Sequence, residues 1–228
     1  MRCLFYHLTF PLLVLLGTAC TSIGPPTGVA AQTSGKIPVS ALLRDVRLKV
    51  DMVARGTHGR RVVRPMRPRF ITIHSTQNFT ADADRHAAAL KKGALRSPRT
   101  RTGNRIGYLI WHFTVDDRHA VQHMPTSEQG EHADFHGPGN LYSIGIEMCE
   151  ERGSNIPATI ERTAKLTAVL MKRHGIPLKN VVPHYHWPRR GKTPANKDCP
   201  HFLLDNGRPG RKWSKFQGRV GYYYQRLE

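Results

Sequence analysis

The run Phe70-Ile71-Thr72-Ile73-His74 is β-branched and apolar on both faces, which marks it as a buried strand at the centre of a sheet. Two further runs share its character. Tyr108 to Val115 (YLIWHFTV) reads as a second strand that turns at Asp116-Asp117, and Ser143 to Cys149 (SIGIEMC) as a third. In the third, a period of two puts Ile144, Ile146 and Met148 on one face and Gly145, Glu147 and Cys149 on the other. Val181-Val182 is a short strand leading into His184. Helices fall between the strands. A short one is expected around Val39–Leu48. A second spans Asp82–Lys92, with acids first and lysines last to suit the macrodipole. A third spans Thr159–His174 and stops at Gly175 and Pro177. A loop rich in His, Gly and Pro runs from 124 to 140. The alternation predicts a single α/β domain with a central mixed β-sheet flanked by helices.

The 228 residues suit one domain preceded by a leader. Residues 1–19 read as a signal peptide: Arg2, then the apolar core Phe10-Pro11-Leu12-Leu13-Val14-Leu15-Leu16, then Gly17-Thr18-Ala19 for cleavage. Cys20 follows at once, and the segment resembles the lipobox of bacterial lipoproteins, although Gly17 stands where that motif has Leu. A lipid anchor at Cys20 is the expectation, with plain cleavage after Ala19 as the alternative. Residues 20–36, small, polar and bearing Gly and Pro, read as a flexible tether, and 37–228 as the folded domain. The chain is therefore expected to be exported to the envelope or secreted, as a monomer, and to meet the membrane only through Cys20.

The net charge of +19 favours anionic partners. The charge is spread over residues 60–69, 91–105 and 208–219, and no nucleic-acid-binding motif accompanies it. No nucleic-acid partner is expected. Anionic envelope polymers are the candidates, against the plainer reading of a solvated basic surface.

The reactive groups gather late in the chain. His184 is followed by Lys197-Asp198-Cys199-Pro200-His201, and imidazole and thiolate are ligands that Zn²⁺ prefers. Lys197 supplies a positive charge where an oxyanion can form. His74, at the end of a core strand, is the natural third ligand, because strand ends in α/β proteins deliver functional groups to a shared rim. A metal site at one rim of the sheet follows. Glu147 sits in the middle of a core strand, where a carboxylate costs several kcal/mol unless paired or near a metal. Gly145 beside it would leave room for a ligand. Three alternatives stay open: a Cys149–Cys199 disulfide, His186 as a ligand, and Glu147 solvated on an edge strand. His86 and His174 read as surface residues, and His112 and His201 as structural or substrate-side.

Five segments in order carry a family resemblance: Phe70–Thr76 (FITIHST), Trp111–Asp117 (WHFTVDD), Gln122–Pro125 (QHMP), Ser143–Glu150 (SIGIEMCE), and His184 with Lys197-Asp198-Cys199-Pro200. Together they resemble zinc-dependent N-acetylmuramoyl-L-alanine amidases of the type-2 family, which includes phage lysins and peptidoglycan recognition proteins. The resemblance spans about residues 52–205. It implies zinc held by His74, His184 and Cys199, Glu147 as catalytic acid and base, Lys197 steadying the transition state, and peptidoglycan or muropeptides as substrate. The bond cut would be the amide between N-acetylmuramic acid and L-alanine. A non-catalytic peptidoglycan-binding module is the alternative. His132 matches a Trp-His-Ala segment lining the family's groove, with Glu131 replacing the tryptophan. Trp111 stands where some branches place an assisting tyrosine, and it cannot act as an acid; both His132 and Trp111 are expected at the substrate.

Overall fold

A computed structural model describes residues 35–97 and 106–228. The expected signal peptide, Cys20 and nearly all of the tether lie outside the described residues. Among the described residues the elements run α1 (Val39–Val46), β1 (Leu48–Val50), β2 (Phe70–Ser75), α2 (Ala83–Lys91), β3 (Phe113–Val115), β4 (Ala120–Gln122), α3 (Pro138–Tyr142), β5 (Ser143–Met148), α4 (Ile156–His174), β6 (Val181–Pro183) and α5 (Arg211–Arg226). The strands form a mixed sheet in the order β1-β4-β3-β5-β2-β6. Only the β3–β4 pair is antiparallel.

Alternation along the central strands divides the sheet into two chemically different faces. Ile71 and Ile73 of β2, Ile144, Ile146 and Met148 of β5, and Phe113 and Val115 of β3 pack with α1, α4 and α5 in the main core. Each such side chain contributes roughly 1.5–3 kcal/mol by leaving water. The opposite face carries Thr72, His74, Gly145, Glu147 and Thr114. Register sets His74 of β2 beside Glu147 of β5, and Thr114 of β3 on Glu147's other side. β6 ends at Pro183, opposite Ile73, so His184 emerges next to His74. Three parallel strands thus end together at the functional rim.

The helices begin and end for local reasons. The Asp82 carboxylate caps α2 by accepting from the Arg85 amide at 2.9 Å. Asn155 does the same for α4 at the Ala158 amide, and Gly175, at φ 63°, closes that helix in the left-handed conformation. This cap starts α4 at Ile156, three residues before the expected Thr159.

Other expectations needed correction. The strand expected over Tyr108–Val115 is regular only from Phe113, because Ile110 leaves the sheet to pair with Glu131. The three-residue strands β1 and β4 and the whole of α5 were not anticipated. In α5 the buried stripe Trp213, Phe216, Val220 and Tyr223 sits among basic residues and two glycines that hide its helical period. His86, expected at the surface, is buried with its ring edge-on to Trp111, and His174 is half-buried.

Two buried histidines beside β3 couple the fold to pH. His112 accepts from the Gly145 amide at Nδ1 (3.0 Å) and its Nε2–H points at the Glu128 carbonyl (2.9 Å). His123 Nε2 meets the Thr114 hydroxyl at 2.8 Å. Burial holds His112 down to about 4 and His123 down to about 3. The unfolded chain therefore binds protons below about pH 6.5 that the folded chain refuses, and stability falls as pH drops from there toward 4. Urea unfolding should show the loss across that window, with His112 contributing on the order of 3 kcal/mol. A His112→Gln variant should lose less on acidification than the parent; an identical pH slope would refute the assignment.

Candidate active site

The fold brings His74, His184 and Cys199 to one point. One ligand atom from each lies within 4.8 Å of the other two, and all three residues are buried. His74 closes β2. His184 opens a tight turn (His184–His186) directly after β6. Cys199 is drawn in by the Ser75 amide, which donates to its sulfur at 3.3 Å, and Gln77 Nε2 pins the neighbouring Asp198 carbonyl at 3.1 Å. The Cys199 amide bonds back to the Lys197 carbonyl at 2.8 Å, and this tight turn carries Lys197 to the cleft.

The outer hydrogen bonds fix which ring nitrogens face inward. His132 Nε2 lies 3.3 Å from the Ser143 carbonyl, so that nitrogen carries the proton and His132 Nδ1 is an acceptor. His74 Nε2, 3.0 Å from that Nδ1, must then be the donor. His184 Nε2 donates to the Ala133 carbonyl at 3.2 Å. Both rings are left with a lone pair on Nδ1, and these two atoms stand 2.9 Å apart. A proton between them would make a buried imidazolium. Burial, mutual repulsion and Lys197 all oppose that: His74 is held well below its ordinary range, and His184 down to about 3. Two lone pairs and a sulfur converging on one spot are what a metal cation requires.

Glu147 stands beside this trio. Its Oε1 lies 3.8 Å from His74 Nδ1, and its Oε2 is buried with no hydrogen-bond partner. Burial raises the carboxyl to about 7, with Lys197 pulling it down and Glu150 pushing it up. A cleft of about 290 Å³ opens over the group, lined among others by Glu147, Lys197, His184, His132, Trp111 and Asn140. Trp111 is held by its Nε1, which donates to the Thr114 hydroxyl at 2.7 Å, so its ring is a fixed wall.

The open alternatives resolve by placement. Cys149 and Cys199 are both free thiols, and Cys149 lies in an apolar cluster with Ala83, Ala87 and Val121 under α2. His186 is exposed and lines a neighbouring cleft of about 790 Å³. Glu147 is on an interior strand. The space at Gly145, expected to admit a ligand, is filled by the His132 ring, whose atoms would lie 2.9 Å from an added Cβ. Glu131 is buried against Arg64. His201 bridges Glu150 (3.2 Å) and the Ser75 hydroxyl (3.2 Å). The sequence reading missed the Ala133 carbonyl and Asn140. The first carries no residue identity, and the second resembles any turn asparagine.

Comparison with known proteins agrees with this geometry. Residues 64–202 match the family model described as N-acetylmuramoyl-L-alanine amidase. N-acetylmuramoyl-L-alanine amidase XlyA of Bacillus subtilis (strain 168) is 39% identical over 157 residues, covering 68% of this chain and 45% of XlyA. CwlH of the same organism, also named as such an amidase, is 38% identical over 155 residues, covering 66% of this chain and 52% of CwlH. The chain thus spans about half the length of the curated relatives it matches. Among solved structures, a mutant endolysin from Bacillus subtilis superposes with a TM-score of 0.62 at 36% identity, covering 77% of this chain and 99% of that one. The catalytic domain of XlyA gives 0.60 at 37% identity, covering 76% and 99%. With the family model matching more than half of its residues, the chain belongs to the N-acetylmuramoyl-L-alanine amidase family.

Proposed function

We propose that this protein is a zinc-dependent amidase of peptidoglycan, cutting the amide between N-acetylmuramic acid and L-alanine. The observation that carries the reading is the convergence of His74, His184 and Cys199 beside a carboxylate whose Oε2 has no hydrogen-bond partner. The two imidazoles and the thiolate would hold Zn²⁺. When bound, the ion supplies Lewis acidity and lowers the pKa of water toward about 7. Glu147 accepts the proton of the attacking water through Oε1, the oxygen that faces His74 Nδ1 at 3.8 Å. Lys197, sharing the cleft, offsets negative charge as it develops on the carbonyl oxygen. Glu147 then returns the proton to the departing L-alanine amine, so one carboxyl serves both proton steps. His132 and Trp111 form fixed walls of the substrate cleft. Burial pushes the Cys199 thiol up to about 12, and a bound cation would supply the charge that favours its thiolate.

Incubated with zinc and peptidoglycan, the protein should release stem peptides with a new L-alanine amino terminus. Glu147→Gln should keep its zinc and lose about 10²–10⁴ in kcat. Lys197→Met should lose about 10²–10³, and Cys199→Ser should lose both metal and activity. A wild type that takes up no zinc when it is supplied, binds peptidoglycan and releases nothing would instead establish a binding module.

If His132 holds His74, crowding it must weaken the metal. Gly145→Ala brings a methyl group against the His132 ring and should lower zinc affinity about 10–100-fold in chelator competition. Unchanged affinity would show that the His132 contact is incidental.

Export places the enzyme at its polymer, and Cys20 is proposed as its acylated anchor. Labelled fatty acid should enter the wild type and not Cys20→Ser; an unlabelled wild type would leave simple secretion as the route.

A further inference from the structure

Both candidate histidine ligands are oriented from outside by adjacent residues of one segment. His74 Nε2 bonds the His132 ring, and His184 Nε2 bonds the Ala133 carbonyl. Whatever fixes residues 132 and 133 therefore fixes both inward-facing nitrogens at once. The structure places a single side chain there.

Asn140, in the short helix α3, is 3% exposed, and its amide group is fully used. Its Oδ1 accepts from the backbone amides of His132 (2.9 Å) and Ala133 (2.8 Å). Its Nδ2 donates to the Phe135 carbonyl (2.8 Å) and to Glu131 Oε2 (3.3 Å). The two backbone N–H donors on one side and two acceptors on the other leave one amide orientation. No donor or acceptor remains for substrate, although the residue borders the cleft. The frame around it is equally committed. Asp134 accepts from the Asn140 and Gly139 amides, each at 2.9 Å. A Cβ on Gly139 would come within 2.8 Å of Ala133 Cβ and 2.9 Å of Trp187 Cγ, so α3 reaches the segment only because that position is glycine. Phe135 is held at φ 63°, a left-handed conformation unfavourable for a bulky residue, and the Nδ2 bond to its carbonyl stabilises the turn.

We propose that Asn140 is the positioning residue shared by both histidines. By clamping residues 131–135 around its amide it sets the tautomer and ring orientation of His74 and His184, without touching metal or substrate. The inference rests on the reading of His74, His184 and Cys199 as a metal site. Outer partners of metal-bound histidines are typically worth 10–100-fold in affinity through one ring, and here one side chain supports two.

The test compares Zn²⁺ and Co²⁺ binding by the full chain, wild type against Asn140→Ala and Asn140→Asp. Asn140→Ala should bind both ions about 10–100-fold more weakly and shift the ligand-field spectrum of the cobalt form. Asn140→Asp keeps the acceptor for His132 and Ala133 and should recover part of the affinity. Thermal unfolding without metal separates a general loss of stability from a change in the site. Normal affinity and an unshifted cobalt spectrum in a folded variant overturn the inference, whatever the unfolding midpoint does. Nitrogen-15 spectra of the zinc-loaded wild type give a check independent of any variant: His74 and His184 should both carry their proton on Nε2, and a proton on Nδ1 of either overturns it. A wild type that takes up neither ion overturns the metal reading itself, which is a different failure.

Discussion

Two unprotonated imidazole nitrogens held 2.9 Å apart in a buried place are an unfavourable arrangement, and the rest of this rim is organised to maintain it. Neither ring can turn away. Each is anchored through Nε2, one to a side chain and one to a carbonyl, and the sheet dictates the position of both, His74 within β2 and His184 directly after β6. β2 lies between β5 and β6, so a single strand order brings together groups that are 110 and 124 residues apart in the chain. The apolar face of the same strands supplies the stability that makes the arrangement tolerable. Function and folding are divided between the two faces by the pleat.

That division explains what could be read from the sequence. β2, β5 and α4 announce themselves because their burial is asymmetric or complete over six residues or more. His74 and Glu147 stand out for the complementary reason: they are polar residues inside apolar runs, where only a function or a partner offsets the desolvation. His184, Lys197 and Cys199 are legible as residue types suited to metal and oxyanion chemistry. The strands β1 and β4 are too short to show a period, and α5 buries its stripe among arginines and lysines. The outer support was least legible. Backbone carbonyls of Ser143 and Ala133 decide which tautomers the histidines adopt, and a carbonyl looks the same at every position.

The departure at position 131 has a structural answer. Where the family's groove segment has tryptophan, this chain has Glu131, buried and paired with Arg64. A carboxylate there would be costly alone. Its second oxygen accepts from Asn140, so the substitution is tied into the clamp that holds His132 and Ala133. Arg60 and Glu128 form a second, two-pronged pair, with both contacts at 2.8 Å. Of the two pairs only the one through Glu131 borders the cleft.

Trp111 can take no part in proton transfer, and its ring is immobilised through Thr114, whose hydroxyl also meets His123. In the proposed reaction Glu147 moves protons in both directions. A carboxyl doing so must be neither strongly acidic nor permanently protonated. Burial without a hydrogen-bond partner for Oε2 pushes Glu147 upward, while Lys197 pulls it back. A cation at the histidines and Cys199 would add to the same downward pull. The carboxyl is therefore balanced between opposing influences of the same site, a balance that suits its proposed role of accepting a proton from water and then yielding it to an amine.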